Sequence, residues 1–385
     1  MTRKEVILKA VEGRISWIQA APIIGVSDRQ MRRMKRRFEA HGLDGIIDHR
    51  GGGKRRVRIS LEVIDQVLTL RRGYYHDFSV AHFHEFITQR HGVKLSETWP
   101  WTRKLLQDAG LAEKAPARGK HRRAREQRPM RGMLLHLDAS THAWIEGIHA
   151  QDLNVCMEDA TGEILYARFV RQEGTMSTLV ALEFVLKHHG RFCELYTDRG
   201  SHFCTTTHAG MGPDDIQNVQ VGRALKALGV KHILACSPQA RGRSERAFRT
   251  LQGRLPQELR VAGITTYEAA NAYLRKIFLP AFNERFAVPP QQDESAFTPL
   301  RGLEVAMTLS IQHSRTVKAD NTVSFRATRL QLPSSNRRLH YVRCPVVVHE
   351  FTDGTLGISY QRHLLARFDQ DGQLLVNSDQ ASSAA

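Results

Sequence analysis

The chain lacks the features that would cross-link it or anchor it in a membrane. Its 385 residues hold five cysteines, Cys156, Cys193, Cys204, Cys236 and Cys344, with no Cys-x-x-Cys pair and none ahead of residue 156. That scatter excludes a disulfide framework and a thiolate zinc module in the first third, and it leaves the thiols as small apolar groups of a reducing compartment. No run of 18 apolar residues occurs, and the start, Met-Thr-Arg-Lys-Glu-Val, carries no secretory apolar segment. The expectation is a soluble cytoplasmic protein with no membrane partner. Gly51-Gly52-Gly53-Lys54 lacks the Gly-x-x-x-x-Gly-Lys-Ser/Thr spacing of a phosphate loop, so no ATP site follows from it. His76, His82, His84 and His91 cluster without a cysteine, which favours packing or surface roles over metal ligation.

Basic charge is concentrated at one end. Residues 1–132 hold 29 Lys/Arg against 14 Asp/Glu, so they carry +15 of the net +17 and the remainder is nearly neutral. A polyanion-binding first part joined to a balanced second part is the simplest reading, with double-stranded DNA as the partner. The length calls for two to four domains.

Residues 3–12 and 15–21 read as helices, Gly25-Val26-Ser27 as a turn, and residues 28–40 as a second helix capped by Ser27 and closed by Gly42. This is helix-turn-helix spacing over residues 1–49. Arg29, Gln30, Arg32, Arg33 and Arg36 are the expected DNA contacts, while Met31, Met34 and Phe38 recur at helical spacing for the core. Residues 50–59 form a basic linker in which Lys54, Arg55 and Arg56 can follow a phosphate backbone. Three further helices, 61–72, 80–90 and 97–109 with Ser96 as cap, make a second helical DNA-binding module over 60–112; Trp99 and Trp101 read as its core anchors. A basic linker, 113–131, with Arg122 and Arg123 as DNA contacts, leads on.

From residue 133 the pattern becomes strands, 133–138, 153–158 and 163–170, then a helix, 175–187, and a strand, 192–198. Strand-helix alternation predicts a mixed sheet flanked by helices over 132–280. A linker, 281–310, precedes short strands with an Asp353-Gly354 turn over 311–372, which predict a small β-barrel, and 373–385 read as a tail.

Three acids stand out within this frame. Asp138 ends Leu-Leu-His-Leu-Asp, Asp198 lies in Thr-Asp-Arg-Gly-Ser, and Glu245 follows Ser-Pro-Gln-Ala-Arg-Gly-Arg-Ser at a helix start. Carboxylates at strand ends and a helix start suit hard divalent cations, which activate an attacking oxygen and stabilise the leaving one. Asp159, in Asp-Ala-Thr-Gly between two strand patterns, reads as hairpin-turn chemistry and is left outside this set. Beyond Glu245 the residues to 259 form a basic amphipathic helix, with Arg246 and Arg249 facing DNA, Arg254 on the same side and Pro256 near its end.

These strings resemble the DDE transposases and integrases, most closely the ISNCY-type transposases of bacterial insertion sequences, over nearly the whole chain. The resemblance implies an α/β ribonuclease-H-like catalytic core behind all-α helix-turn-helix modules. It implies that Asp138, Asp198 and Glu245 hold Mg²⁺, or Mn²⁺ in its place, as two ions per site. It also implies a bacterial, nucleoid-associated enzyme, dimeric or larger on DNA, that joins the ends of a mobile element to target DNA. The rival readings are a nuclease without strand transfer and a domesticated DNA-binding regulator. The interval from Asp198 to Glu245 exceeds that common among integrases, and residues 205–217 read as the insertion that lengthens it.

Overall fold

A computed structural model describes residues 3–45, 59–95, 98–113, 126–205, 219–235, 242–300, 305–334 and 338–377. It divides into two compact units, residues 1–65 and 66–385.

In the first unit α1 (Arg3–Val11), α2 (Trp17–Ile23) and α3 (Asp28–His41) follow the expected pattern. Ser16 accepts the Gln19 N–H at 3.2 Å while the Gln19 side chain accepts the Ser16 N–H at 2.9 Å, a reciprocal cap that starts α2. Ser27 accepts the Gln30 N–H and starts α3. Val6, Ile7, Ala20, Ala21, Met31 and Met34 close a small core, which leaves Arg29, Gln30, Arg32, Arg33 and Arg36 exposed on the far side of α3.

The second unit opens within α4 (Leu61–Gly73) and continues through α5 (Val80–Arg90) and α6 (Pro100–Asp108). Helix α6 starts later than its sequence pattern suggests, with Pro100 in the first turn, where a missing N–H costs nothing; the expected cap, Ser96, lies outside the described residues. Buried His84 shares a 2.7 Å hydrogen bond with Thr102, joining α5 to α6.

The centre of this unit contains β1 (Leu134–His142), β2 (Gln151–Glu158), β3 (Ile164–Val170), α7 (Thr175–His189), β4 (Glu194–Thr197), α8 (Gln220–Leu228), β5 (Lys231–Leu234), α9 (Gly242–Gln252), α10 (Leu255–Val261) and α11 (Tyr267–Tyr273). A π turn (Leu274–Phe278) carries α11 without a break into α12 (Leu279–Phe286). The strands form one mixed sheet in the order β3-β2-β1-β4-β5, antiparallel on the β1 to β3 side and parallel from β1 to β5. Alternation along β1 and β2 sends Leu135, Leu137 and Cys156 into a layer with α7 and α8. Leu153 and Val155 point the other way, onto Phe248 and Leu251 of α9 and Leu255 and Leu259 of α10.

Two helical expectations change here. The helix carrying Glu245 stops at Gln252, and Pro256 lies in the first turn of α10 rather than ending the first helix. The first residues of the expected linker, 281–286, belong to α12, whose first turn holds Pro280; beyond that helix, Ser295 and Thr298 form β-bridges with Arg131 and Arg191. The α5 segment docks on this region through charge. Glu85 takes Arg254 in two hydrogen bonds of 2.8 and 2.9 Å and also pairs with Arg285, Asp77 takes Arg260, and buried His82 meets Glu258 at 3.0 Å.

The remaining elements are α13 (Val305–Thr308), β6 (Ile311–Thr316), β7 (Thr322–Phe325), β8 (Thr328–Gln331), β9 (Pro345–Glu350), β10 (Leu356–Tyr360), β11 (His363–Phe368) and β12 (Leu374–Asn377). They form a sheet in the order β12-β11-β10-β9-β6 plus the β7–β8 hairpin. Among the described residues β6 and β12 stand at opposite edges, so the expected barrel is open. Arg223 of α8 ties this region to the core by donating to the Thr308 and Ser310 carbonyls at 3.0 and 2.6 Å.

Side-chain amides occupy exposed strand edges. At β3, Asn283 accepts the Ile164 N–H and donates to its carbonyl, both at 2.9 Å, and Asn271 does the same with Phe169 at 2.8 and 3.2 Å. At β6, Gln220 grips the backbone of Gln312 in the same way. Asn271 and Asn283 are twelve residues apart, which would put them about 120° apart on an α-helix. The π turn absorbs one residue, so their phase becomes that of eleven, about 20°. Eleven helical rises and the five strand residues from Ile164 to Phe169 both measure about 16 Å. The π turn thus puts both amides on the β3 edge. Deleting Ile277 leaves eleven residues of plain α-helix between the two amides, about 20° apart, and is expected to keep Asn283 on β3. Asn283→Ala should cost about 1–3 kcal/mol for the unpaired backbone groups and favour self-association, read by thermal denaturation and size-exclusion chromatography.

Candidate active site

Strands β1 and β4 run parallel, with Leu134, Leu135 and His136 opposite Glu194, Leu195 and Tyr196. Asp138 and Asp198 each lie two residues past the last pair of this ladder, Asp138 still within β1 and Asp198 one residue beyond the end of β4. Asp138 is buried and Asp198 half-buried. Their carboxylates accept the N–H groups of Ala139 at 3.0 Å and Gly200 at 2.8 Å. A Cβ on Gly200 would come within 3.1 Å of the Asp198 carboxylate and 2.9 Å of the His202 ring, so glycine suits this turn. Beneath it the Thr197 hydroxyl meets His232 at 2.9 Å, and burial pushes the His232 imidazole down to about 4, neutral at pH 7.

Helix α9 lies over the side of β1 that carries His136, Asp138 and Ser140. Its first turn is held by an ion pair from Arg243 to Asp159, whose carboxylate also accepts from His136 at 2.7 Å. Its last residue, Gln252, donates to the Ser140 hydroxyl at 3.0 Å. Glu245 and Arg249 are both exposed, one turn apart, and among the described residues no ion pair joins them. Arg246 is exposed and donates to the Gly242 carbonyl. Arg254, expected on the same DNA-facing side, is instead sequestered by Glu85. Lys54, Arg55, Arg56, Arg122 and Arg123 lie outside the described residues, as do residues 206–217 of the expected insertion.

The three carboxylates singled out in the sequence, Asp138, Asp198 and Glu245, are hard oxygen donors of the kind that suits Mg²⁺. Asp138 lies on the side of β1 that α9 covers, and Glu245 is exposed in the first turn of α9. Among the described residues no three His, Cys, Asp or Glu side chains are already drawn close enough to hold an ion.

Asp159 corrects the sequence reading. The turn after β2 is there, closed by the Gly162 N–H on the Glu158 carbonyl at 2.9 Å with Gly162 at a φ of 71°. The Asp159 side chain, however, is fully buried and accepts from the Arg128 N–H at 2.8 Å as well as from His136 and Arg243. Burial raises the carboxyl, but the bonds from His136, the Arg128 N–H and Arg243 outweigh it and hold Asp159 well below the usual carboxylate range. Sequence spacing reports only a turn at this position, because the partner arginine is 84 residues away. A depressed folded-state value stabilises above the ordinary aspartate value of 3.8 and is lost as pH falls below it. Asp159→Asn is expected to lower stability at pH 7 by about 3 kcal/mol and to flatten the loss of stability below pH 3.8, measured by denaturant unfolding across pH.

Residues 3–65 match the winged helix-turn-helix family model. The chain is similar to y4bF of Sinorhizobium fredii, a protein assigned as a transposase, at 32% identity over 96% of this chain and 81% of the relative. It is also similar to the transposase for insertion sequence IS1202 of Streptococcus pneumoniae, at 29% identity over 74% of this chain and 68% of that one. A solved structure, the HTLV-2 integrase catalytic core domain in complex with magnesium, covers 38% of this chain and 89% of its own at a TM-score of 0.29 and 14% identity. Among the described residues no helix is long and apolar enough to cross a membrane. With 32% identity sustained along almost its full length, the chain belongs to the same transposase family as y4bF and is a transposase.

Proposed function

We propose that Asp138, Asp198 and Glu245 form the metal-holding set of a ribonuclease-H-like catalytic core that cleaves the ends of a mobile element and joins them to target DNA. The observation that supports this reading is that Asp138 and Asp198 each follow the last β1–β4 pair by two residues, with α9 packed over the side of β1 that carries Asp138. Two bound Mg²⁺ ions, or Mn²⁺ in their place, would supply Lewis acidity to the attacking and leaving oxygens. Asp138 and Asp198 offer oxygens from the sheet, and Glu245 offers its own from the helix above. Water displaces the element's 3′ oxygen from phosphorus, and the freed 3′-hydroxyl then attacks a target phosphodiester and displaces the target strand's own 3′ oxygen, so no side chain forms a covalent bond to DNA. Arg249, one turn after Glu245, neutralises a phosphate of the reacting end.

Recognition of double-stranded DNA belongs to α3. Its Arg29, Gln30 and Arg33 face base edges, and Arg32 and Arg36 face phosphates. The basic segments with Lys54, Arg55, Arg56, Arg122 and Arg123 follow the backbone, which makes end binding fall steeply with salt. Processing two ends together calls for a dimer or larger assembly on DNA, in the bacterial cytoplasm at the nucleoid.

Asp138→Asn, Asp198→Asn and Glu245→Gln are each expected to lose cleavage and joining by more than about a hundredfold while still binding terminal DNA. Joining at the wild-type rate by any of the three removes that residue from the set. Arg249→Ala is expected to slow joining about tenfold, the worth of one charge-assisted phosphate contact, and to weaken crosslinking to the terminal nucleotides. Wild-type crosslinking in that variant would put Arg249 away from DNA.

A further inference from the structure

The two bonds that hold α9 over β1 have matching spans. His136 and Ser140 are four residues apart on β1, about 13 Å, and Arg243 and Gln252 are nine residues apart on α9, also about 13 Å. One end is fixed by the His136–Asp159–Arg243 chain and the other by Gln252 on Ser140. Helix and strand therefore run side by side without slippage. Glu245 lies two residues past Arg243, about 3 Å along the axis, which is level with Leu137 and within one residue of Asp138. Rotation agrees with this. Gln252 follows Glu245 by seven residues, two helical turns, so the two side chains leave the same flank of α9 about 20° apart. The flank is at the border of the buried stripe of Ser244, Phe248 and Leu251, and Gln252 demonstrates that a side chain there reaches β1.

We infer that Asp159, Arg243, Gln252 and Ser140 are positioning residues, which fix both the height and the rotation of α9 so that Glu245 meets Asp138. None of them touches the reacting groups. They act through the helix, and without them Glu245 keeps its identity but loses its place. The inference rests on the proposed metal-holding role of Glu245, and the experiment separates the two.

Mn²⁺ binding to the full chain is measured by titration calorimetry, alongside the Mg²⁺ concentration that gives half-maximal end cleavage. The variants are Gln252→Ala, Ser140→Ala, Ser140→Thr and Asp159→Asn, with Glu245→Gln as reference. Gln252→Ala and Ser140→Ala are expected to weaken Mn²⁺ binding and to raise the Mg²⁺ requirement, each about tenfold as for groups that orient metal ligands, with terminal-DNA binding and thermal midpoint near those of the wild type. Ser140→Thr, which keeps the hydroxyl, restores what Ser140→Ala loses. Asp159→Asn is expected to weaken Mn²⁺ binding in the same way, at a lowered thermal midpoint; if it fails to fold, the Gln252 and Ser140 variants decide alone. Wild-type Mn²⁺ binding in Gln252→Ala and Ser140→Ala, with binding weakened in Glu245→Gln, overturns the positioning inference and leaves the metal-holding set intact. Wild-type Mn²⁺ binding in Glu245→Gln overturns the role of Glu245 and the inference with it.

Discussion

The catalytic half of the chain is built around one buried negative charge. The Asp159 side chain is shut off from solvent, and an unpaired carboxylate in that position would cost several kcal/mol. It is tolerated because three elements converge on it: His136 from β1, the backbone of Arg128 from the segment entering the sheet, and Arg243 from α9. Each partner is thereby fixed to the others. The constraint propagates to the candidate site, because His136 precedes Asp138 on the same side of β1 and Arg243 precedes Glu245 on α9.

A second constraint is the closure of sheet edges. A mixed sheet ending in β3 exposes backbone donors and acceptors that invite another strand. Here asparagine amides imitate a strand, each giving one donor and one acceptor to a single residue of β3. Gln220 repeats the device on β6, and there it also fastens the C-terminal sheet to the core helix that carries it. The π turn is the geometric cost of placing two such amides on one strand from one helix.

Charge is divided between two tasks. The arginines of α3 are exposed and available to a polyanion, whereas Arg254, Arg260 and Arg285 are matched to Glu85 and Asp77 and hold the α5 region to the core. A count of basic residues cannot separate these roles. Arg254 and Arg249 read alike along the sequence, and only the carboxylate of Glu85 beside one of them tells them apart.

Much was legible in the sequence. Ser16 and Ser27 cap helices because capping depends on groups three residues away. The strands of the core declare themselves by alternation and by apolar runs, and Asp138 and Asp198 stand out because each ends such a run. The turn after β2 is legible for the same local reason. What the sequence left open depended on contacts between distant residues. The burial of Asp159 and its pairing with Arg243, the diversion of Arg254, the phasing of Asn271 with Asn283 and the open C-terminal sheet all arise where separate elements meet. Local spacing determines hydrogen bonds within a turn of chain; only tertiary packing decides which distant side chain a buried charge or an open strand edge will find.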